Sequence, residues 1–388
     1  MAIRAIHIVA GLHPRSGGPS RTVIELTDAL AMLPGCDTYL LSQRSKGDPI
    51  AASGNRKVVR RIVELGTNLG AIHGLGIRRE IEEQVGREGD MVVHAHGVWL
   101  APNLWASRLA HSRSIPVVIQ PRGMLEPWAL NNNRWKKRIA LAIWQRRALE
   151  RAALLVATSD MEYESLRSLG LIQPIAIIPN GVPRCEGEEP PEDNEAREEP
   201  RTVLFLSRIH PKKGLGLLIE AWRRLDTVGW RLRIAGPDDG GHLDHVLWMV
   251  ERLGVGHNVS YVGEVDGAAK WREFERASLF VLPTFSENFG VVVVEALSHG
   301  LPVVCSRGAP WKSLVENGCG WWVNPDIEGI AAALKDAMAL TDGERGLMGA
   351  RGRALARRFD WARIAEETFE CYQWLTGGGG PPTCVHPE

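Results

Sequence analysis

The stretch FSENFGVVVVEALSHGLPVV, residues 285–304, decides how this chain folds. Four consecutive valines favour a β-strand, because β-branched side chains suit a pleated surface. The segments on either side, LFVLPT (279–284) and LPVVCS (301–306), are themselves strand-like. Two parallel neighbours need a crossover, usually a helix, and only residues 285–300 are available for it. We therefore predict that the valines lie in a helix, which Gly300 ends in a left-handed conformation.

Short apolar strands alternate with helices on both sides of one unusual segment. Residues 185–200, CEGEEPPEDNEAREEP, are acidic and proline-rich and offer almost nothing to bury. Alternation of this kind is typical of parallel sheets covered by helices on both faces. The predicted fold class is α/β, with two Rossmann-like doubly wound domains facing each other across a cleft.

The same pattern sets the predicted boundaries. An amphipathic helix follows the second domain, and a Gly/Pro-rich tail follows the helix. The predicted segments are an N-terminal domain (1–184), a linker (185–200), a C-terminal domain (201–358), the amphipathic helix (359–376) and a flexible tail (377–388).

Composition excludes several classes of function. The 46 basic and 46 acidic residues cancel, so no global field marks a nucleic-acid-binding protein, and no nucleic-acid partner is expected. The six cysteines form no CxxC pair, which disfavours a structural zinc site and indicates reduced thiols in the cytoplasm. The N-terminal segment resembles a first strand more than a signal peptide, and no stretch reaches the ~20 apolar residues of a spanning helix.

Polar residues that follow strands of the second domain are candidates for a ligand site. Glu287 follows a strand's carboxyl end, where open α/β sheets bind ligands, and Glu295 lies in the helix beyond it. The amides at that helix's N-terminus suit a phosphate. Arg208 and Lys213 follow the domain's first strand and suit a diphosphate. The alternatives are an exposed loop acid, a helix-face acid and a solvated basic loop.

The first domain offers weaker signals. Gly17 and Gly18 lie between a strand and a helix, where a glycine turn can approach phosphate oxygens or be only a turn. His94 and His96 lie on one face of a strand end. They are a conceivable metal pair, but the sequence places no third ligand nearby, so a structural or acceptor-facing role is favoured.

Together these segments resemble the retaining, nucleotide-sugar-dependent glycosyltransferases of family 4, which have the two-Rossmann-domain GT-B fold. The resemblance spans nearly the whole chain. Its most specific element is the E-x7-E motif, here Glu287 to Glu295. The others, in family order, are the early Gly-Gly pair, IIPNGV, SRIHPKKG, IAGPDD, YVGEV and a closing helix after RFDW. In this family the closing helix crosses back onto the N-terminal domain.

The resemblance implies a role for each candidate. Glu287 would contact the donor sugar's hydroxyls and Glu295 the ribose hydroxyls, while Arg208 and Lys213 would neutralise the leaving diphosphate. The stretch from Val262 to Val265 would border the nucleobase. The implied donor-binding residues, besides Glu295, are Gly17, Gly18, Gly236, Val262, Val265, Phe289, Gly290 and Val291. The phosphate itself would take the acceptor's proton, so no cofactor and no metal is expected.

One position departs from the family pattern. Many relatives have a histidine at the end of the strand PVVIQ, where this chain has Arg122. Arginine cannot act as a base at neutral pH, but it can orient an acceptor or stabilise the phosphate. His96 can take part in its place. Arg122 and His96 are therefore the catalytic candidates on the acceptor side.

The resemblance predicts transfer of a sugar from a UDP- or GDP-sugar to a glycan or lipid-linked glycan, with retention of configuration, in bacterial surface polysaccharide synthesis. A sugar-nucleotide 2-epimerase and a non-catalytic nucleotide-sugar-binding subunit are the alternatives.

The basic segment 131–151 bears on localisation. It contains Trp135 and Trp144 and can form a helix on an anionic membrane, which would place the protein peripherally on the inner face of the plasma membrane. The alternative is a solvated helix with a buried stripe formed by Ile139, Ile143 and Leu149.

Overall fold

A computed structural model describes residues 2–13, 18–49, 55, 57–65, 75–131, 134–183 and 200–387 of the chain. The chain divides into two compact units. Unit 1 comprises Met1–Gly181 and Trp361–Glu388, and unit 2 comprises Val182–Asp360. Apart from Pro200, the predicted linker lies outside the described residues.

The sheet of unit 1 has the strand order β14-β7-β6-β5-β4-β1-β2-β3 over the described residues. Every pairing is parallel except that of β14 with β7. The strands are β1 (Ile3–Val9), β2 (Cys36–Ser45), β3 (Val59–Leu65), β4 (Met91–His96), β5 (Val117–Gln120), β6 (Leu154–Ala157), β7 (Ile175–Ile177) and β14 (Val385–His386).

Helices cover both faces of this sheet. On one face α1 packs with α15, the helix predicted to return to the N-terminal domain, and Tyr372 of α15 is fully buried there. The helices of unit 1 are α1 (Gly18–Leu30), α2 (Leu75–Val85), α3 (Ala101–His111), α4 (Pro127–Asn131), α5 (Arg134–Ala140), α6 (Arg146–Glu150), α7 (Asp160–Ser168) and α15 (Trp361–Leu375), with a π-helical turn (Leu141–Gln145) between α5 and α6.

Unit 2 has a fully parallel sheet in the order β10-β9-β8-β11-β12-β13. Its strands are β8 (Arg201–Leu206), β9 (Trp230–Ala235), β10 (Val259–Tyr261), β11 (Leu279–Leu282), β12 (Val303–Ser306) and β13 (Gly320–Val323). Its helices are α8 (Leu215–Arg223), α9 (His242–Arg252), α10 (Gly267–Arg276), α11 (Val291–Ser298), α12 (Ser313–Glu316), α13 (Ile327–Ala339) and α14 (Asp342–Ala356), with 3-10 turns at Pro211–Lys213 and Arg357–Phe359.

Both sheets reverse their strand order at one point. In unit 1 the reversal lies between β1 and β4, and in unit 2 between β8 and β11. Open α/β sheets bind ligands beyond the carboxyl ends of the strands at such switch points. We therefore expect ligand-binding residues at the carboxyl ends of these four strands.

The valine run is helical, as the crossover argument predicts. All four valines lie in α11, and Gly300 follows with a φ of 69°. Tertiary context therefore outweighs the strand propensity of valine. The two Rossmann-like sheets and the return of α15 to unit 1 confirm the predicted fold class.

The C-terminal residues differ from the prediction of a flexible tail at 377–388. Val385 is buried and pairs with Ala176 of β7. Arg167 donates hydrogen bonds to the backbone oxygens of His386 and Pro387 at 3.1 and 2.7 Å. Glycine and proline dominate the composition of this segment and conceal the one apolar side chain that it buries.

Candidate functional site

Lys213 is brought to the switch point of unit 2 by the turn that follows β8. The next residue, Gly214, has a φ of 72°, and a Cβ there would lie 2.0 Å from the carbonyl oxygen of Pro283, directly after β11. Only glycine permits so close an approach of two backbones. The turn therefore packs Lys213, a buried side chain, against the end of the neighbouring strand.

Lys213 forms an ion pair with Glu287, 74 residues further along the chain. Burial acts to raise the pKa of Glu287. The charge and hydrogen bond of Lys213, helped by the charges of Lys212 and Arg208, outweigh burial and hold that pKa below its ordinary value. The structure thus brings together three of the residues that sequence reasoning selected, and Glu287 is ionised.

Arg208 lies beside this pair in a more exposed position. Its Nη1 donates to Asp239 Oδ2 at 2.5 Å, and about half of its side chain is accessible to solvent. Its charge contributes to lowering the pKa of Glu287, so its field reaches the same site. Sequence reasoning did not select Asp239, although it lies within the quoted segment IAGPDD.

Gly236 follows β9 and lies close to the backbone of Ser207 and Arg208. Its φ is 132°, and a Cβ there would lie 1.9 Å from the carbonyl oxygen of Ser207, next to Arg208. The phenol of Tyr261 donates to the Gly236 carbonyl oxygen at 2.8 Å. Val262 and Val265 follow Tyr261 and are half-buried against the core of unit 2. Gly236 and Tyr261 are thus close in the fold to the β8 loop, and the donor-binding roles of Val262 and Val265 stay predictions.

The N-terminus of α11 lies next to Glu287. Gly290 caps it with a φ of 79°, and a Cβ there would lie 3.2 Å from Glu287 Cγ. The indole of Trp311 donates to the Phe289 carbonyl oxygen at 2.6 Å and fixes the loop. The Val293 amide donates to the Gly290 carbonyl oxygen at 2.8 Å, and the amides of Val291 and Val292, which precede this first hydrogen bond of the helix, suit an anion.

Glu295 pairs with a different lysine from the one that pairs with Glu287. It is buried in α11 and forms an ion pair with Lys270 of α10. The two acids of the motif therefore have separate cationic partners. Lys270 was not selected from the sequence, and no spacing signal links a residue 25 positions away to Glu295.

The switch point of unit 1 holds a buried layer of neutral polar side chains. Strand register aligns His7 of β1 with His94 of β4, and His96 with Gln120 of β5. Side chains alternate along a strand, so these four residues face the same side of the sheet, toward α15. All four are buried.

Burial lowers the pKa of all three histidines. The pKa of His7 falls to about 3, and those of His94 and His96 fall well below the ordinary value, with neighbouring imidazoles and the charge of Arg122 adding to the effect. The imidazoles are therefore neutral at pH 7. Each carries one N–H donor and one acceptor nitrogen.

Arg122 is a buried cation with neutral partners. Its Nη1 donates to Thr22 Oγ1 at 2.7 Å and to Asn180 Oδ1 at 3.1 Å. Its Nε and Nη2 lie 3.4 and 3.3 Å from His96 Nδ1. Burial lowers its pKa to about 10, which leaves it charged at pH 7. Its φ of 56° is unusual for a non-glycine residue, and Glu162 accepts a hydrogen bond from the following amide, Gly123.

The histidines are connected to one another and to α15. His96 Nε2 lies 2.9 Å from His7 Nδ1, and His7 Nε2 lies 3.5 Å from Tyr372 Oη. Tyr372 Oη lies 2.6 Å from His94 Nδ1. His94 Nε2 is buried without a hydrogen-bond partner and belongs to a residue that lines a cavity of about 10 Å³ together with Arg122 and other residues.

His7 adds a third imidazole to His94 and His96, and sequence reasoning missed it. The three ligand atoms lie within 4.8 Å of one another, and histidine is a common zinc ligand. A dication there would nevertheless be repelled by the guanidinium of Arg122, which touches His96. A hydrogen-bonded chain accounts for the contacts without that repulsion.

The remaining candidates have simple positions. Gly18 begins α1, and its carbonyl oxygen accepts a hydrogen bond from Thr22 Oγ1 at 3.0 Å. Gly17 lies outside the described residues. Thr22 also accepts from Arg122, so the hydroxyl links Arg122 to the start of α1.

Comparison with known proteins places the chain in a family. The family model described as "Glycosyl transferases group 1" matches residues 187–354, and the model described as "Glycosyltransferase Family 4" matches residues 16–184. The chain belongs to the group 1 glycosyltransferases. It is 25% identical over 334 residues to the D-inositol 3-phosphate glycosyltransferase of Mycobacterium marinum, covering 81% of this chain and 69% of that protein.

Solved structures support the GT-B fold of this glycosyltransferase. A sucrose-phosphate synthase from Thermosynechococcus elongatus matches with a TM-score of 0.79 at 19% identity, over 98% of this chain and 100% of that chain. Anabaena HepE, solved in complex with UDP and glucose, matches with a TM-score of 0.73 at 18% identity, over 96% and 99%.

Proposed function

We propose that this glycosyltransferase moves a sugar from a nucleoside diphosphate donor to a glycan or lipid-linked glycan acceptor, with retention of configuration, in bacterial surface polysaccharide synthesis. The observation that carries the proposal is the cluster of Lys213, Glu287 and Arg208 at the switch point of unit 2. The UDP-bound state of Anabaena HepE, a structural neighbour, supports a nucleotide-sugar donor.

The donor-side roles follow from charge. As the sugar–phosphate bond breaks, negative charge accumulates on the diphosphate, and cations fixed in advance stabilise it most at that moment. Lys213 and Arg208 each contact a carboxylate that the diphosphate can replace. Glu287 would then accept hydrogen bonds from sugar hydroxyls, and Glu295 from the ribose.

The protein's own cations make a metal unnecessary in this proposal. Lys213, Arg208 and the first amides of α11 supply the positive charge that a metal supplies in other transferases. Full activity in the presence of EDTA is the expected result. The anomeric proton of the first product, observed by NMR before it equilibrates, reports retention or inversion.

A panel of UDP, GDP, ADP and their sugars tests the donor assignment by thermal shift, since a ligand that binds only the folded state raises Tm. We expect one base to be preferred and Lys213→Ala to abolish its shift. Lys212→Ala is the matched control and should keep the shift. Donor binding without turnover would indicate a non-catalytic subunit, and an isomerised sugar nucleotide in the absence of acceptor would indicate an epimerase.

We further propose that α5 and the following π-helical turn contact an anionic membrane surface. Leu149 is buried, but Ile139 and Ile143 are 48% and 69% exposed, so the alternative of a buried stripe is wrong for two of its three members. Trp135 is 65% exposed beside the cations Arg134 and Arg138. None of the helices among the described residues has the length and apolar character needed to span a bilayer.

Flotation with vesicles of anionic lipid tests this surface. We expect salt-sensitive binding that Ile143→Ser weakens severalfold, because the side chain is removed from apolar contact with lipid. Ile172→Ser, at another exposed isoleucine of unit 1, is the matched control. Equal binding by both variants would contradict the proposal.

A further inference from the structure

The contacts around the three histidines form one continuous path. It runs from Arg122 to His96, then to His7, then to Tyr372 of α15, and ends at His94. Each neutral imidazole donates from one nitrogen and accepts at the other. The direction of one hydrogen bond therefore determines the direction of all the others.

Arg122 selects one direction. Because a guanidinium only donates, its contact makes His96 Nδ1 the acceptor and leaves the proton on His96 Nε2. His96 then donates to His7 Nδ1, His7 Nε2–H donates to Tyr372 Oη, and the Tyr372 hydroxyl donates to His94 Nδ1. All three histidines are Nε2–H tautomers in this state.

Gln120 selects the opposite direction. Its Oε1 lies 3.1 Å from the same His96 Nδ1 and can only accept. If it takes over this nitrogen, His96 carries its proton on Nδ1 and accepts from His7 at Nε2. Tyr372 then donates to His7 and accepts from His94, so that all three histidines become Nδ1–H tautomers.

We propose that Tyr372 and the three histidines form a two-state hydrogen-bond relay that positions Arg122, and that displacement of the Arg122 guanidinium from His96 by an anionic group of a substrate reverses the relay. Tyr372 is thus a positioning residue that links α15 to the acceptor-side candidate. Only the substrate clause rests on the proposed function; the relay itself is a property of unit 1.

The relay is tested in the full-length protein labelled with 15N-histidine. Long-range ¹H–¹⁵N spectra distinguish the two tautomers, and single His→Gln variants assign the signals. At pH 7 we expect His7, His94 and His96 all to be neutral Nε2–H forms. Arg122→Met should convert all three to Nδ1–H, and Arg122→Lys, which keeps a donor, should convert none.

Two further variants separate the relay from a general effect on folding. Gln120→Leu removes the competing acceptor. This variant should retain the Nε2–H forms even in the presence of excess pyrophosphate, which serves as the anionic group that displaces Arg122. Tyr372→Phe should uncouple His94 alone and leave His96 and His7 unchanged, whereas Tyr39→Phe is the matched control without effect. Mixed tautomers in the unsubstituted protein, or no response to Arg122→Met, would overturn the relay.

Metal binding and turnover provide independent outcomes. One equivalent of Co²⁺ bound with a tetrahedral absorption spectrum would overturn the relay, because the metal would occupy the nitrogens that the relay uses. In transfer assays we expect Tyr372→Phe to lower kcat about tenfold with an unchanged donor KM. If the tautomers behave as expected but no donor binds, the proposed function fails and the relay stands.

Discussion

The two sheets reverse strand order in the same way but place opposite kinds of polar groups at the reversal. In unit 2 the charges are paired, lysine or arginine with a carboxylate, at Lys213, Arg208 and Lys270. In unit 1 the buried cation Arg122 contacts neutral acceptors and neutral imidazoles. One topology thus supports an ionic site and a nearly uncharged relay, since function depends on the residues placed on a fold.

The difference has a chemical consequence. A carboxylate that pairs with a cation can be replaced by a diphosphate at small electrostatic cost, since one anion replaces another. The Arg122 guanidinium donates hydrogen bonds to neutral acceptors and interacts with one buried carboxyl, that of Glu162, so part of its field is available to a further anion. We expect the unit 2 site to be most sensitive to substitutions that remove a cation, and the unit 1 site to be most sensitive to substitutions that remove a hydrogen-bonding group.

The largest expected effect breaks the ionic side of this comparison. Lys213→Ala should lower the transfer rate about 10²–10³-fold, because it removes the buried cation that stabilises the leaving diphosphate. Rates under donor saturation and circular dichroism of the variant measure activity and folding separately. Lys212→Ala, which alters the adjacent lysine, should lose less than about tenfold, and equal losses in both variants would contradict the assignment.

The next effect tests how far the unit 2 site depends on close backbone approach. Gly236→Ala should cost about 3 kcal/mol of unfolding free energy, because it combines a strained positive φ with a Cβ 1.9 Å from the Ser207 carbonyl oxygen. Gly240→Ala has a positive φ of 80° but meets nothing within 4 Å, so about 1 kcal/mol is expected. Urea unfolding measures the unfolding free energy of both variants. Equal costs would contradict the idea that the contact with the Ser207 carbonyl oxygen adds to the cost of Gly236→Ala.

The smallest effect per variant concerns the neutral side. The histidine pKa values are lowered in the folded state, so the unfolded chain binds more protons below pH 6.5 and stability falls as the pH drops. Each histidine steepens the fall by about 1.4 kcal/mol per pH unit. Glu162, whose pKa is raised by burial, takes up a proton in the folded state and offsets part of this.

Urea unfolding between pH 7 and pH 5 measures this dependence. His94→Gln should reduce the slope relative to the unsubstituted protein, by an amount that approaches about 1.4 kcal/mol per pH unit as the pH falls below 6.5. The lowered pKa of Glu287 acts in a separate window, below its ordinary value of 4.5, where protonation of the carboxylate removes stability. An unchanged slope in His94→Gln would show that this imidazole takes up its proton as readily in the folded state as in the unfolded chain, which contradicts the lowered pKa.

The fold was predictable because its signals are local or depend on chain connectivity. Apolar runs mark the strands, and the need for a crossover between two strands makes Val291 to Val294 helical. The same reasoning placed Glu287 and Lys213 at strand ends, yet it could not show that they touch, since 74 residues separate them.

The unit 1 site was predictable only in part. The alternation AIHIV in β1 and VVHAH in β4 contained the signal for His7, because parallel neighbours with histidines at matching positions share a face. Tyr372 left no such signal, since its place depends on how α15 docks. Asp239 and Lys270 were missed for the same reason, as partners chosen by packing rather than spacing.

The return of α15 to unit 1 also affects how the protein is made. Trp361, Tyr372 and Val385 complete a core that begins at Ile3, but the whole of unit 2 is synthesised between them. At ~5–20 residues per second, translation of unit 2 takes roughly 10–40 s. During that time the apolar face of the N-terminal sheet lacks α15 and is exposed to chaperones and to other nascent chains.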